Sequence, residues 1–149
     1  MKKIVKKSKK VFKVKKINKV KLLRKLKNKC DKLWSVFIRL RDGKCVLCGS
    51  VENGQAHHCI VRCALANSTR WEKTNGIRLC AICHLYKIHR DADKDILEKY
   101  LAYLNSHIPQ EEQVRLKELS RSGKVMEIED LQKIEWNLTL EIELLQKKS

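Results

Sequence analysis

The sequence predicts a small α+β domain: a short two-stranded hairpin stapled by cysteines and followed by a helix, with further α-helices on either side. Three observations predict it. Two Cys-x-x-Cys pairs, Cys45-Val-Leu-Cys48 and Cys80-Ala-Ile-Cys83, enclose 31 residues, and that interval opens and closes on strand-like stretches, 55–60 and 76–79. On both sides, apolar residues recur at three- and four-residue steps, the period of an amphipathic helix. The chain has 149 residues and its first 29 are dominated by lysine, which leaves roughly 120 for one compact domain with a modest core.

The elements follow in order. Residues 1–29 read as a flexible basic arm, with too little apolar surface to offset its ordering entropy. Asp31 suits the N-cap of a short helix ending near Asp42, with Leu33, Phe37 and Leu40 on one stripe beside Trp34 and Ile38. The hairpin comes next, then a helix opening near Cys80. Asp93 or Asp95 caps a helix through Asn105, with Leu97, Tyr100, Leu101 and Leu104 facing inward. Pro109, the only proline, suits the first position of a helix from Gln110 that stops before Ser122. A last helix runs from about Glu127 to Gln146, and its Leu131, Ile134, Leu138, Ile142 and Leu145 form a packing seam for the body or for a second copy. The domains are then a basic arm (1–29), a central cysteine-stapled domain (30–108) and a helical extension (109–149).

The cysteines indicate zinc. A Cys-x-x-Cys turn sets two thiolates at tetrahedral spacing, and two such turns, Cys45/Cys48 and Cys80/Cys83, close a four-cysteine structural site. Gly49 follows the first pair, where the turn needs a residue tolerant of positive φ. Disulfides are the competing use, but the seven cysteines are odd in number, and the Lys-rich chain shows no secretory signal. Cys30, Cys59 and Cys63 read as reduced thiols.

The interval between the pairs exceeds the ~15–20 residues of a simple zinc ribbon, and the histidines fall there. A strand carrying His57-His58 sends the two imidazoles to opposite faces. A helix starting near Cys80 returns His84 to the hairpin, so that two imidazoles with open coordination positions can hold a metal that still accepts a phosphate oxygen. Asn75-Gly76 also has the form of a hairpin turn. His89, five residues beyond His84, lies about 140° round an α-helix from it and is only an alternative ligand.

His58 and Asn75, set between the Cys-x-x-Cys pairs, and His84, directly after the second, resemble the HNH nuclease motif, whose fold is the ββα-metal finger. The resemblance implies that His58 is the general base, that His57 and His84 are ligands of a catalytic Mg²⁺ or Mn²⁺, and that Asn75 holds the base imidazole and pins the hairpin. A histidine suits a base working near neutral pH. A narrower resemblance, to the lambdoid phage NinG (Rap) recombination endonucleases, covers about 25–104. It rests on Asp31-Lys-Leu-Trp-Ser-Val-Phe-Ile-Arg-Leu-Arg-Asp42 and on Thr69-Arg70-Trp71-Glu72. That family tends to carry Gly-His at His57-His58 and Cys-Asn at Cys83-His84, so the ligands here are closer to those of general HNH enzymes. The resemblance implies hydrolysis of DNA phosphodiesters, branched DNA included, by a phage- or prophage-encoded enzyme in the cytoplasm of a bacterial host.

Charge points to the same partner. Residues 2–29 hold fourteen lysines and Arg24 with no acidic residue, fifteen of the formal net +17, and such an arm attracts phosphates without regard to sequence. Arg62 and Arg70, near the catalytic loop, are candidate phosphate contacts. Anionic lipid is the other surface that a basic arm of this kind can meet. No membrane span, signal-peptide core or Gly-rich phosphate loop is found, which argues against an integral membrane protein and an ATP-driven enzyme. The rival reading is a zinc-stabilised nucleic-acid-binding module without catalysis. A homodimer through the C-terminal helix is a further possibility.

Overall fold

A computed structural model describes residues 2–59, 68–90 and 94–148, with side chains from residue 18 onward. The chain is α+β, as expected. Helix α1 (Lys2–Asp42) leads into a two-stranded antiparallel sheet of β1 (Gly54–His58) and β2 (Gly76–Cys80). A π-helix (Ile82–Arg90) follows directly, and then come α2 (Lys94–His107), α3 (Gln110–Arg121) and α4 (Ile128–Gln146).

The first difference from expectation is α1. One helix of 41 residues stands where a flexible arm and a short helix beginning at Asp31 were expected. No glycine or proline interrupts residues 2–42, and lysine, leucine and arginine are all good helix formers. The apolar stripe also continues through the expected boundary. Leu23, Leu26, Cys30, Leu33, Trp34 and Phe37 step by three and four residues and pack with Leu131, Leu138 and Ile142 of α4. The core therefore runs across both expected domain boundaries, 29/30 and 108/109. Lys19 pairs with Glu127 and Lys29 with Glu135, so the two helices run in the same direction. The α4 seam is spent on α1, inside the chain. Asp31 does not cap a helix: its carboxylate accepts Arg70 Nε at 2.7 Å, Arg70 Nη2 and Trp71 Nε1 at 2.9 Å.

The end of α1 is bolted to the hairpin by two arginines. Arg41 donates to the Lys73 and Gly76 carbonyls, both at 2.6 Å. Arg78 of β2 donates to the Arg39 carbonyl, and its backbone N–H donates to the Asp42 carboxylate. In the hairpin Gly54 opposes Cys80, His57 opposes Ile77 and His58 opposes Gly76. Gly76 is required by close approach, because a Cβ there would lie 2.4 Å from the Trp34 indole and 2.7 Å from Ile38 Cδ1.

The later helices lie close to expectation. Pro109 is the N-cap of α3, one place earlier than the first helical position expected for it, and α3 ends at Arg121. Glu127 caps α4 in a reciprocal box with Asp130. On α2 the inward residues are Ile96, Leu97, Tyr100, Tyr103 and Leu104, whereas Leu101 is exposed. Of the two cap candidates, Asp95 lies within the first turn of α2; Asp93 lies outside the described residues.

Candidate active site

Two clusters of ligand-type side chains flank the hairpin. The first is Cys45, Cys48, Cys80 and Cys83, whose sulfurs lie within 4.8 Å of one another. A Zn–S distance of about 2.3 Å in a tetrahedral site places sulfurs about 3.8 Å apart, and the Cys48 and Cys80 sulfurs are already 3.6 Å apart. The first turn is closed by Gly49 N–H donating to the Cys45 carbonyl at 2.8 Å, with Gly49 at φ 76° as the turn demands. Val46 N–H donates to the Arg78 carbonyl at 3.0 Å and docks this turn on β2. In the second turn Cys83 N–H reaches the Cys80 sulfur at 3.4 Å. Burial pushes the Cys45 thiol up, but backbone N–H groups of Cys80, Cys48 and Leu47 more than offset it, and the thiol falls to about 7. Burial and neighbouring sulfurs raise Cys83. Four sulfur donors in closed tetrahedral spacing can hold a metal ion such as zinc. Cys30 and Cys59 stand apart as buried and half-buried thiols, pushed by burial to about 11 and about 12; Cys63 lies outside the described residues.

The second cluster is His57, His84 and His89, with ligand nitrogens within 4.8 Å of one another. Ring centroids are 4.9 Å apart for His57–His84, 5.3 Å for His57–His89 and 5.0 Å for His84–His89. His89 belongs to this group, which corrects the expectation that it lies on another face from His84. The cause is the π-helix: its hydrogen bonds close at i+5 instead of i+4, so each turn holds more residues and a five-residue step brings His89 round to the side of His84.

Neighbouring groups orient the imidazoles. His84 Nδ1 lies 2.6 Å from Gln55 Oε1. That oxygen can only accept, so Nδ1 carries the proton and Nε2 is left with the lone pair. The Tyr100 hydroxyl donates to the Cys59 carbonyl at 3.4 Å and lies 3.4 Å from His57 Nε2. Burial first, then the nearby His84, His89 and His58, holds His57 far below its usual range, at about 3. His84 is lowered by burial and by His89. Both are neutral imidazoles at pH 7, the form that ligates a metal. Among the described residues the set contains no carboxylate. Nitrogen donors of this kind suit first-row transition ions better than Mg²⁺.

His58 faces the other side of β1, as alternation along a strand requires. Its ring stacks on Trp34 with centroids 4.0 Å apart, and its Nε2 lies 2.9 Å from the Arg70 carbonyl. His58 nonetheless lines the same cleft as the trio: a cavity of about 480 Å³ bordered by Ala56, His57, His58, Cys59, His84, Ile88, His89 and Tyr100.

Asn75 is fully buried. Its Nδ2 donates to the Thr69 carbonyl at 3.0 Å, and its own carbonyl accepts Cys59 N–H at 3.0 Å. It therefore closes the hairpin and fixes the loop one residue before the carbonyl that meets His58. Arg70, expected as a phosphate contact, spends its guanidinium on Asp31. Arg62 lies outside the described residues.

Sequence reasoning missed Gln55 and Tyr100 as parts of the site. Gln55 was within reach, since it shares a strand face with His57 at a two-residue step. Tyr100 carries no such signal, because its helical position is equally that of a core residue. The chain matches no family model, no curated protein and no solved structure. No helix among the described residues is long and apolar enough to cross a membrane.

Proposed function

We propose that this chain is a metal-dependent endonuclease of the HNH, ββα-metal type that hydrolyses DNA phosphodiester bonds. The observation that carries the reading is the shared cleft, where His58 and the His57–His84–His89 trio border one cavity large enough for a phosphodiester.

The chemistry follows from the side chains. With its Nε2–H given to the Arg70 carbonyl, His58 has Nδ1 as its basic nitrogen. Nδ1 takes a proton from water as the water oxygen bonds to phosphorus; the P–O3′ bond breaks, and O3′ is protonated by solvent. The ends are then 5′-phosphate and 3′-hydroxyl. Trp34 and the Arg70 carbonyl keep the imidazole from turning while the proton moves. His57, His84 and His89 would hold the divalent ion, Mn²⁺ or Mg²⁺, which when bound supplies positive charge to the phosphate and the leaving oxygen. The four-cysteine site would hold structural zinc and keep the π-helix against the hairpin.

DNA as substrate is supported by the basic residues at positions 2–29 of α1, which carry fifteen of the net +17. Branched DNA, in phage or prophage recombination, follows from the NinG-like runs. Those two runs, around Asp31 and Arg70-Trp71, lock together through the Asp31 carboxylate.

The deciding experiment measures cleavage of supercoiled plasmid and of a synthetic four-way junction with Mn²⁺ or Mg²⁺, comparing wild type with His58→Ala. Cutting that needs metal and vanishes in the variant, at unchanged zinc content and melting temperature, supports the nuclease. Tight DNA binding with no cutting under either ion makes the chain a zinc-stabilised binding module instead.

A further inference from the structure

Helix α4 has two apolar faces. Leu131, Leu138 and Ile142 are buried against α1. On the opposite side Trp136, Leu140 and Leu144 recur every four residues and are 66%, 42% and 55% exposed. Three large apolar side chains aligned on one solvent-facing stripe are unlike the scattered single exposures normal for a surface. Tryptophan in particular is enriched at the centres of interfaces.

The charges beside the stripe are arranged in order. Glu129, Lys133, Glu143 and Lys147 share this face and are exposed. None of them takes part in an ion pair among the described residues, whereas Glu127, Glu135 and Glu141 on the flanks are paired with Lys19, Lys29 and Lys73. We infer that this face pairs with the same face of a second copy, antiparallel, about a two-fold axis at the level of Leu138. In that register Trp136 meets Leu140 of the second copy, Lys133 meets Glu143, and Glu129 meets Lys147. The two-fold repeats each contact, so four charge pairs flank two Trp–Leu contacts, the self-complementary arrangement that a two-fold interface requires. Sliding the axis to the level of Leu140 sets Lys133 against Lys147, and like charges then oppose that register. The same pattern argues against a lipid surface, because Glu129 and Glu143 border the stripe.

An interface of one helix face is small, so the expected dimer is a weak one, in the micromolar range. The inference is independent of the nuclease reading, because it involves no residue of the cleft.

Sedimentation velocity on the full-length, zinc-loaded chain, freed of nucleic acid by a high-salt heparin step, tests it. Wild type is expected to be mostly dimeric at about 100 µM, given a dissociation constant of ~10 µM. Trp136→Ala is expected to weaken association by ~30-fold or more, with circular dichroism and melting temperature nearly unchanged because Trp136 is 66% exposed and outside the buried core. Lys133→Glu and Glu143→Lys each weaken it by about tenfold, the effect of replacing exposed pairs by repulsions. The double variant, Lys133→Glu with Glu143→Lys, restores it. A wild type that stays monomeric at that concentration overturns the proposal, as does a dimer indifferent to Trp136→Ala. A dimer lost in both single charge variants and not regained in the double variant overturns the assigned register.

Discussion

The imidazole of His58 lies flat on the indole of Trp34, ring centroids 4.0 Å apart and planes 12° from parallel. The same indole donates its N–H to the Glu72 carbonyl at 3.0 Å, so it is itself held in place. In the proposed role of general base His58 would gain from this restraint, since misorientation by a small angle lengthens the proton transfer. Trp34→Phe keeps a flat face and loses one hydrogen bond, which costs roughly 0.5–1.5 kcal/mol of stability. Trp34→Leu fills part of the space without a stacking face. The expected result is cleavage within about tenfold of wild type for the phenylalanine and a further ~10-fold loss for the leucine, at equal zinc content. Equal rates for the two variants would mean that the stack only fills space.

Removal of the zinc proposed for the four-cysteine site is expected to separate the two cores. The cysteines pack with Ile77 and Leu79, whereas α1 and α4 share a different cluster built on Leu26, Trp34, Leu131 and Leu138. Zinc in small structural sites contributes about 10–16 kcal/mol of apparent folding free energy. Chelation, or Cys80→Ser, is therefore expected to melt the hairpin and π-helix while most of the far-UV helical signal of α1 and α4 survives. One mole of zinc should be released per mole of chain, measured by a colorimetric chelator. A single cooperative loss of all helical signal would show that the α1–α4 core cannot stand without the cysteine cluster.

Much of this site was legible in the sequence because its geometry is local. The Cys-x-x-Cys turns, the alternation of His57 and His58, and the i, i+3, i+4 seam of α4 each follow from a short-range period. What was not legible depends on partners distant in sequence. Residues 19–29 look like a solvated arm until α4, about a hundred residues later, supplies a face for Leu23 and Leu26. Arg70 looks like a free cation until Asp31 is seen beside it. His89 was misplaced for another reason: an α-helical period was assumed, and nothing in Ile82–Arg90 announces that its turns widen to the i+5 pattern that aligns His89 with His84.

Metal binding by the histidine trio, as proposed, should depend on Gln55. Its side-chain oxygen fixes the proton of His84 on Nδ1 and leaves the Nε2 lone pair open to an ion. Partners of this kind typically change metal affinity 10–100-fold when removed. Gln55→Leu is expected to weaken Mn²⁺ binding by about that factor, read by calorimetry with no DNA present, whereas Gln55→Glu, which still accepts the hydrogen bond, retains or strengthens it. Unchanged affinity in Gln55→Leu would remove the orienting role.

The pH dependence has a definite sign. His57, held by burial at about 3, is protonated more readily in the unfolded chain, whose histidines titrate near 6.5. Between those values the unfolded state binds the extra proton, so this group's contribution to stability is present above about 6.5 and declines as pH falls toward 3. The measurement is the melting temperature of the Mn²⁺-free, zinc-loaded chain against pH, with His57→Gln as the control. A smaller fall below pH 6 in the variant is the expected result, and parallel curves for the two proteins would contradict it.

Gly76 ties His58 to the fold more tightly than its size implies. It opposes His58 across the hairpin, and a Cβ at this position would meet Trp34 Cζ2 at 2.4 Å and Ile38 Cδ1 at 2.7 Å. Neither atom can give way freely, because Trp34 is pinned by Glu72 and Ile38 is fully buried. Overpacking of this sort costs about 1–3 kcal/mol. Gly76→Ala should therefore lower the melting temperature, and it should also push the indole that carries His58. Cleavage is expected to fall more steeply than stability when both are measured well below the melting temperature. Combining Gly76→Ala with Ile38→Val removes the Cδ1 collision, though not the 2.9 Å approach of Ile38 Cγ1, and should recover part of the stability while leaving the contact with Trp34, and with it most of the loss of activity. Recovery of both together would place the damage in general packing and not in the Trp34–His58 stack.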